Sequence, residues 1–273
     1  MADRIRLVHA LQDAGLTHIE VAAFVSPKAV PAMAGAAEVL AGIDRRPGQT
    51  YAALVPNLKG AEMALDAGVD ELTVTLAASE VYNQRNVRMS TAESEAVISD
   101  IVAATGEVPV DAVVSCAFGS PYEGDIAPEE VSALGGRLTE AGVTSVTYAD
   151  TTGTATPRRI DDLIDALHGE TAGVGLHLHD TRGTALVNAY AALERGIARF
   201  DTSVGGLGGS PFAHGAGGNL ATETLVALLD DLQIDTGIDI AGLLLAAEQI
   251  QSLVGRSVPS PILHHGTREA RAT

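Results

Sequence analysis

The chain has 273 residues, enough for one α/β barrel or two small domains with a full hydrophobic core. Aromatic residues make up 3% of it and tryptophan is absent, so Ala, Val, Leu and Ile must fill the interior. Acidic residues outnumber basic ones by 35 to 17, and the net charge of −18 argues against binding nucleic acid through its phosphates. The single cysteine, Cys116, excludes an internal disulfide framework and fits a reducing compartment. The N-terminal sequence lacks a basic-then-apolar leader, and no apolar run approaches the ~20 residues of a membrane span. A soluble, cytoplasmic protein is expected.

Strand-like and helical patterns alternate along the chain. A helix over Ile5–Leu16 comes first, stopped by Gly15, and precedes a strand over His18–Phe24. Further strands are predicted at Tyr51–Pro56, Glu71–Ala78, Val108–Phe118, Thr144–Asp150, Gly173–Asp180 and Ala198–Val204. Helices fall between them, around Met33–Ile43, Gly60–Val69, Thr91–Gly106, Pro128–Ala141, Pro157–Gly169 and Ala185–Gly196. Two more close the pattern, at Thr222–Leu232 and Ile240–Val254. An Ala-Gly pair followed by a short strand recurs at Ala14, Ala67 and Ala141, as a repeated βα unit requires.

The expected fold is a TIM (β/α)8 barrel over residues 1–256 with an extra C-terminal helix, followed by a flexible tail over 257–273. Seven strands are visible where a barrel wants eight. The pattern opens directly in the helix that should follow strand one, so the barrel is expected to be N-terminally truncated. A doubly wound open sheet is the alternative architecture. The absence of a glycine fingerprint after the first strand, and polar residues at many strand C-terminal ends, favour the barrel.

His177 and His179 form the strongest local signal. Residues two apart on a strand share a face, so both imidazoles are expected at the barrel mouth. That spacing suits half of a metal site, or equally a hydrogen-bonded pair without metal. Asp180 follows and can orient a ring or a loop. The glycine-dense stretch from Ser203 to Glu223, including Gly208, Gly209 and Ser210, fits a loop that lets backbone approach a ligand. Asn219 could cap the next helix or ligate a hard cation, and Glu223 lies one helical turn on. Glu20 is a mid-strand carboxylate that needs a partner wherever it faces. Asp150 ends a strand at the functional rim. Tyr122 sits in a turn-rich exit from another strand, a ligand loop or a simple turn. Cys116 reads as core. Lys59, just past a strand, could meet a phosphate or stay solvated.

Six phrases carry a resemblance: IEVAAFVSPKAVPAMA, VPNLKGAEMALDAG, SCAFGSPYEG, DTTGTATP, HLHDTRGTALVNAYAAL and GGLGGSPFAHGAGGNLATE. From about Arg4 to Val254 the chain resembles the 3-hydroxy-3-methylglutaryl-CoA lyases, metal-dependent barrels related to isopropylmalate and homocitrate synthases. The resemblance implies retro-Claisen cleavage of a 3-hydroxy-3-methylacyl-CoA to acetyl-CoA and a keto acid such as acetoacetate. It implies a Mg²⁺ or Mn²⁺ cofactor held by His177, His179 and Asn219, and a possible homodimer. Catalytic roles fall to His177, Ser210, Glu20 and Asp150. Substrate contacts fall to Tyr122, Gly208 and Gly209, and supporting roles to Glu223 and Asp180.

The sequence departs from the family twice. The family's opening strand, ending in a phrase like GPRDGLQ with a metal-binding Asp and an enolate-stabilising Arg, has no counterpart here. Ser210 stands where the family's loop has a proton-transferring cysteine, and a hydroxyl is far less acidic than a thiol of pKa about 8.5. A related lyase or aldolase acting on another acyl-CoA, and an inactive barrel lacking that Asp and Arg, are therefore alternatives.

Overall fold

The computed structural model describes residues 1–28, 30–209, 217–268 and 270. Seven parallel strands form one sheet in strict chain order. They are β1 (His18–Ala23), β2 (Thr50–Leu54), β3 (Glu71–Ala77), β4 (Val110–Ser115), β5 (Ser145–Asp150), β6 (Val174–Leu178) and β7 (Arg199–Asp201). The helices are α1 (Ala2–Asp13), α2 (Ala36–Ala41), α3 (Leu58–Asp66), α4 (Glu80–Asn86), α5 (Thr91–Thr105), α6 (Pro128–Glu140), α7 (Pro157–Ala166), α8 (Ala185–Glu194), α9 (Thr222–Asp231), α10 (Ile240–Val254) and α11 (Pro261–His265).

Local sequence sets these boundaries. Ser90 and Glu93 close a capping box that starts α5, and Thr156 caps α7 ahead of Pro157. On α7, Ile160, Leu163 and Ile164 recur at helical spacing and are buried, so one face docks on the sheet. Gly15, Gly68 and Gly142, the repeated punctuation of the sequence, all take positive φ just after a helix.

The sheet divides its side chains by parity. Leu72, Val74, Leu76, Val110, Ala112, Val114, Leu176 and Leu178 are buried in the main apolar cluster with helix residues. The alternate positions face the other way and carry many polar side chains, His18 and Glu20, Glu71 and Thr73, Asp111, Thr147, His177, Arg199 and Asp201, among smaller or apolar ones such as Ala52 and Val113. Arg199 on β7 reaches Asp111 on β4 at 2.8 Å. Three strand spacings of about 4.8 Å separate those strands, more than the pair could bridge across a flat surface, so the sheet curls around this polar face. The result is the curled α/β sheet of a barrel, with β1 and β7 as edges among the described residues.

Several expected boundaries change. The helix at Met33–Ile43 is a 3₁₀ turn at Pro31–Met33 and then α2, because Gly35 between them is left-handed at φ 78°. The strand at Val108–Phe118 ends at Ser115, where Cys116 takes φ 59° and cannot continue a ladder. The strand at Ala198–Val204 shrinks to β7, and a 3₁₀ turn at Val204–Gly206 follows. Helix α4 was not anticipated. Nor was α11, which forms within the segment after residue 257, capped by Ser260, with Val258 and Ser260 buried.

Candidate active site

The site lies where β6, β7 and the residues just before α9 meet. His177 and His179 bring their ring centroids to 5.1 Å at an interplanar angle of 64°. Asn219 joins them through a backbone bridge to His179. These three predicted donors are therefore brought together. Each imidazole is held by Nδ1: His179 against the Gly217 carbonyl at 3.1 Å, His177 against Asp201 Oδ2 at 2.6 Å. The Asn219 amide donates Nδ2–H to the Leu207 carbonyl at 2.9 Å, while its Oδ1 is buried and has no hydrogen-bond partner.

Electrostatics separate the two histidines. Burial, aided by repulsion from His177, pushes the His179 imidazole down to about 4, so it is neutral at physiological pH. Burial also pulls on His177, but the Asp201 charge and hydrogen bond, with Glu20 behind them, outweigh it and raise that imidazole. Glu20 keeps a side open to solvent. Desolvation inside the curled face, followed by repulsion from Asp201, still lifts its carboxyl to about 7, against a hydrogen bond from Thr73 and attraction to His177.

The other predicted residues have definite places. Asp150 is fully buried on the parity of Val146 and Tyr148, off the polar face. Its two oxygens accept from Thr154 N–H at 2.8 Å and Ala155 N–H at 3.0 Å, pinning the loop before α7. Burial nevertheless lifts that carboxyl to about 6. Glu223 is also fully buried and takes Gly205 N–H with both oxygens, at 3.1 and 3.2 Å. Asp180 Oδ1 accepts from Ala185 N–H at 3.0 Å, so it fixes a loop rather than a ring. Gly208 has φ 112°, and a Cβ there would lie 2.5 Å from Asn219 Nδ2. A side chain would displace the amide, which is the physical reason for glycine at that point. Gly209 is exposed, and Ser210 lies outside the described residues.

Tyr122 belongs to a separate cluster, with Tyr82 at 6.4 Å and the Arg85 guanidinium 4.3 Å over its ring. Cys116 is buried in that cluster, and burial pushes its thiol up to about 12, consistent with a packing role. Lys59 is exposed.

Two residues that sequence reasoning passed over matter here. Asp201 sits opposite His177 in the parallel register. The alternation Arg-Phe-Asp along the strand contained that signal, but any acid near a strand end reads the same until register is known. Arg182 ties the loop after β6 to the loop after β5, donating to the carbonyls of Gly153 at 2.7 Å and Ala155 at 3.3 Å.

Among the described residues, no group of three or more His, Cys, Asp or Glu is arranged to hold a metal. The donor set present is two imidazoles and an amide oxygen. That set fits a divalent ion on one structural count, because Asn219 Oδ1 is a buried acceptor left without a donor.

A family profile described as HMGL-like matches residues 1–250. A Pseudomonas aeruginosa protein named 3-hydroxy-3-isohexenylglutaryl-CoA/hydroxy-methylglutaryl-CoA lyase is 47% identical, with all of this chain and 90% of that protein aligned. Human mitochondrial hydroxymethylglutaryl-CoA lyase is 41% identical over 95% of this chain and 81% of its own length. The solved Acinetobacter baumannii HMG-CoA lyase, in complex with coenzyme A and 3-methylmalate, superposes with a TM-score of 0.93 at 38% identity, covering 97% of this chain and 88% of that one. The carboxyl transferase domain of Rhizobium etli pyruvate carboxylase shares the fold, with a TM-score of 0.68 at 19% identity, 96% of this chain and 46% of that one. The chain belongs to the HMGL-like family.

Proposed function

We propose that this protein is a carbon–carbon lyase that cleaves 3-hydroxy-3-methylglutaryl-CoA to acetyl-CoA and acetoacetate. The carrying observation is the grouping of His177, His179 and the partnerless Oδ1 of Asn219 in a chain of the HMGL-like family. Those three residues would hold Mg²⁺ or Mn²⁺. A bound divalent ion supplies positive charge that orients the substrate and acidifies its tertiary hydroxyl.

The chain's own residues account for the rest. His179 is neutral and available as a donor. Glu20, poised near 7, is suited to take the hydroxyl proton and return one to the departing enolate carbon. His177, held through Nδ1 by Asp201, would offer its other ring nitrogen to the ion beside His179. Asp150 and Glu223 act through backbone, fixing the loops that border the site. Ser210 can relay a proton by hydrogen bonding, and Gly208, Gly209 and Tyr122 would contact the acyl-CoA. No described helix is long and apolar enough to cross a membrane. The reading includes a cytoplasmic homodimeric enzyme that binds no nucleic acid.

The test is to incubate the protein with 3-hydroxy-3-methylglutaryl-CoA and Mn²⁺ and follow acetyl-CoA and acetoacetate together. Equal formation of both, abolished by EDTA, is expected; no product at saturating metal overturns the reading. The name of the Pseudomonas relative favours a second reading, in which substrates with longer 3-substituents are also cleaved. Competition between the two substrate types decides it.

A further inference from the structure

The two imidazoles of the site have unlike partners. A backbone carbonyl receives His179, whereas a carboxylate receives His177. Asp201 arrives from β7, whose register sets it beside His177. Two residues earlier on the same strand face, Arg199 is anchored to Asp111 on β4 at 2.8 Å and approaches Glu71 on β3 at 3.7 Å. Because β7 has only three residues, that anchor lies one pleat from Asp201. The Asp201 side chain is 54% exposed. Ion pairs that open contribute little to folding, so stability does not account for the 2.6 Å contact.

We propose that Asp201 is a positioning residue for His177: its carboxylate takes the Nδ1–H, fixes ring plane and tautomer, and leaves Nε2 as the lone-pair donor beside His179 and Asn219. The inference rests on the metal-site reading above and deepens it by naming the nitrogen that donates. A carboxylate in this position also makes the imidazole a stronger ligand.

The test uses the full chain carrying Asp201→Ala or Asp201→Asn, with ¹⁵N-labelled histidine. Ring nitrogen shifts are recorded without metal at about pH 8.5, above the ordinary histidine range, and Mn²⁺ affinity is measured by calorimetry. In the parent, His177 is expected to show a protonated Nδ1 and a bare Nε2. Asp201→Ala should mix the tautomers and weaken Mn²⁺ binding about tenfold or more. Asp201→Asn, which keeps an acceptor, should restore the tautomer and part of the affinity. The His179 signals should stay in place in both variants. Unchanged His177 shifts and unchanged affinity in Asp201→Ala overturn the proposal, as do shifts of His177 and His179 together in both variants. Because the ring signals are read without metal, a parent that binds no Mn²⁺ would sink the metal-site reading while still answering the tautomer question.

Discussion

At the scale of single residues, Glu20 has the clearest consequence. Its carboxyl is raised to about 7, so the folded state holds a proton that the unfolded chain releases near the ordinary glutamate value of about 4.3. The stability this proton contributes is full below the unfolded value and is lost as pH rises through about 7. Glu20→Gln should therefore leave the urea midpoint nearly unchanged at acid pH and raise it on the alkaline side of that window. Equal shifts at both ends would show that Glu20 titrates normally. The same group is the proposed proton carrier, so the substitution should also lower kcat far more than it alters KM.

At the scale of elements, the loop between β5 and α7 depends on one carboxylate. Asp150→Ala would leave the N–H groups of Thr154 and Ala155 without their acceptors, one of them in a fully buried residue. A loss of about 1–3 kcal/mol is expected in denaturant titration, with faster hydrogen exchange at those two amides. This element also shows what sequence could and could not disclose. His177 and His179 were legible because a two-residue repeat on a strand has a single geometric meaning. Asp150 was legible as a rim acid, but its direction was not, since the parity that turns it toward the helix side follows from strand register. Asn219 became legible through family resemblance, because its own sequence context admits a cap as readily as a ligand. Helix α4 escaped because its seven residues carry no apolar period and its start depends on the Ser79 hydroxyl accepting from Tyr82. Asp201 escaped because its meaning comes from a neighbour 24 residues away in sequence.

At the scale of the whole molecule, the polar face of the sheet is tied by a network rather than filled by aliphatic layers. Arg199 bonds Asp111, Asp111 accepts from Thr147 at 2.9 Å and Ser145 at 2.8 Å, and Glu71 pairs with both Arg199 and His18. Residues from β1, β3, β4, β5 and β7 are thereby joined. Arg199→Leu would leave the buried Asp111 charge with hydroxyl partners only. With Arg199 one-third exposed, a loss of about 2 kcal/mol is expected, discounted for solvent. Adding Asp111→Leu should recover much of it; additive losses in the double variant would show that the two residues do not interact. The strict strand order has a further consequence for synthesis. Each new βα unit can dock on the one made just before it, so much of the sheet can assemble while the chain is still emerging. Two things must wait: the Arg199–Asp111 tie, whose partners lie 88 residues apart, and the meeting of His179 with Asn219. A nascent chain stalled before residue 219 would carry the strands and both imidazoles yet lack the amide oxygen. The capacity to capture metal therefore arrives in one late step, after the scaffold that must hold it.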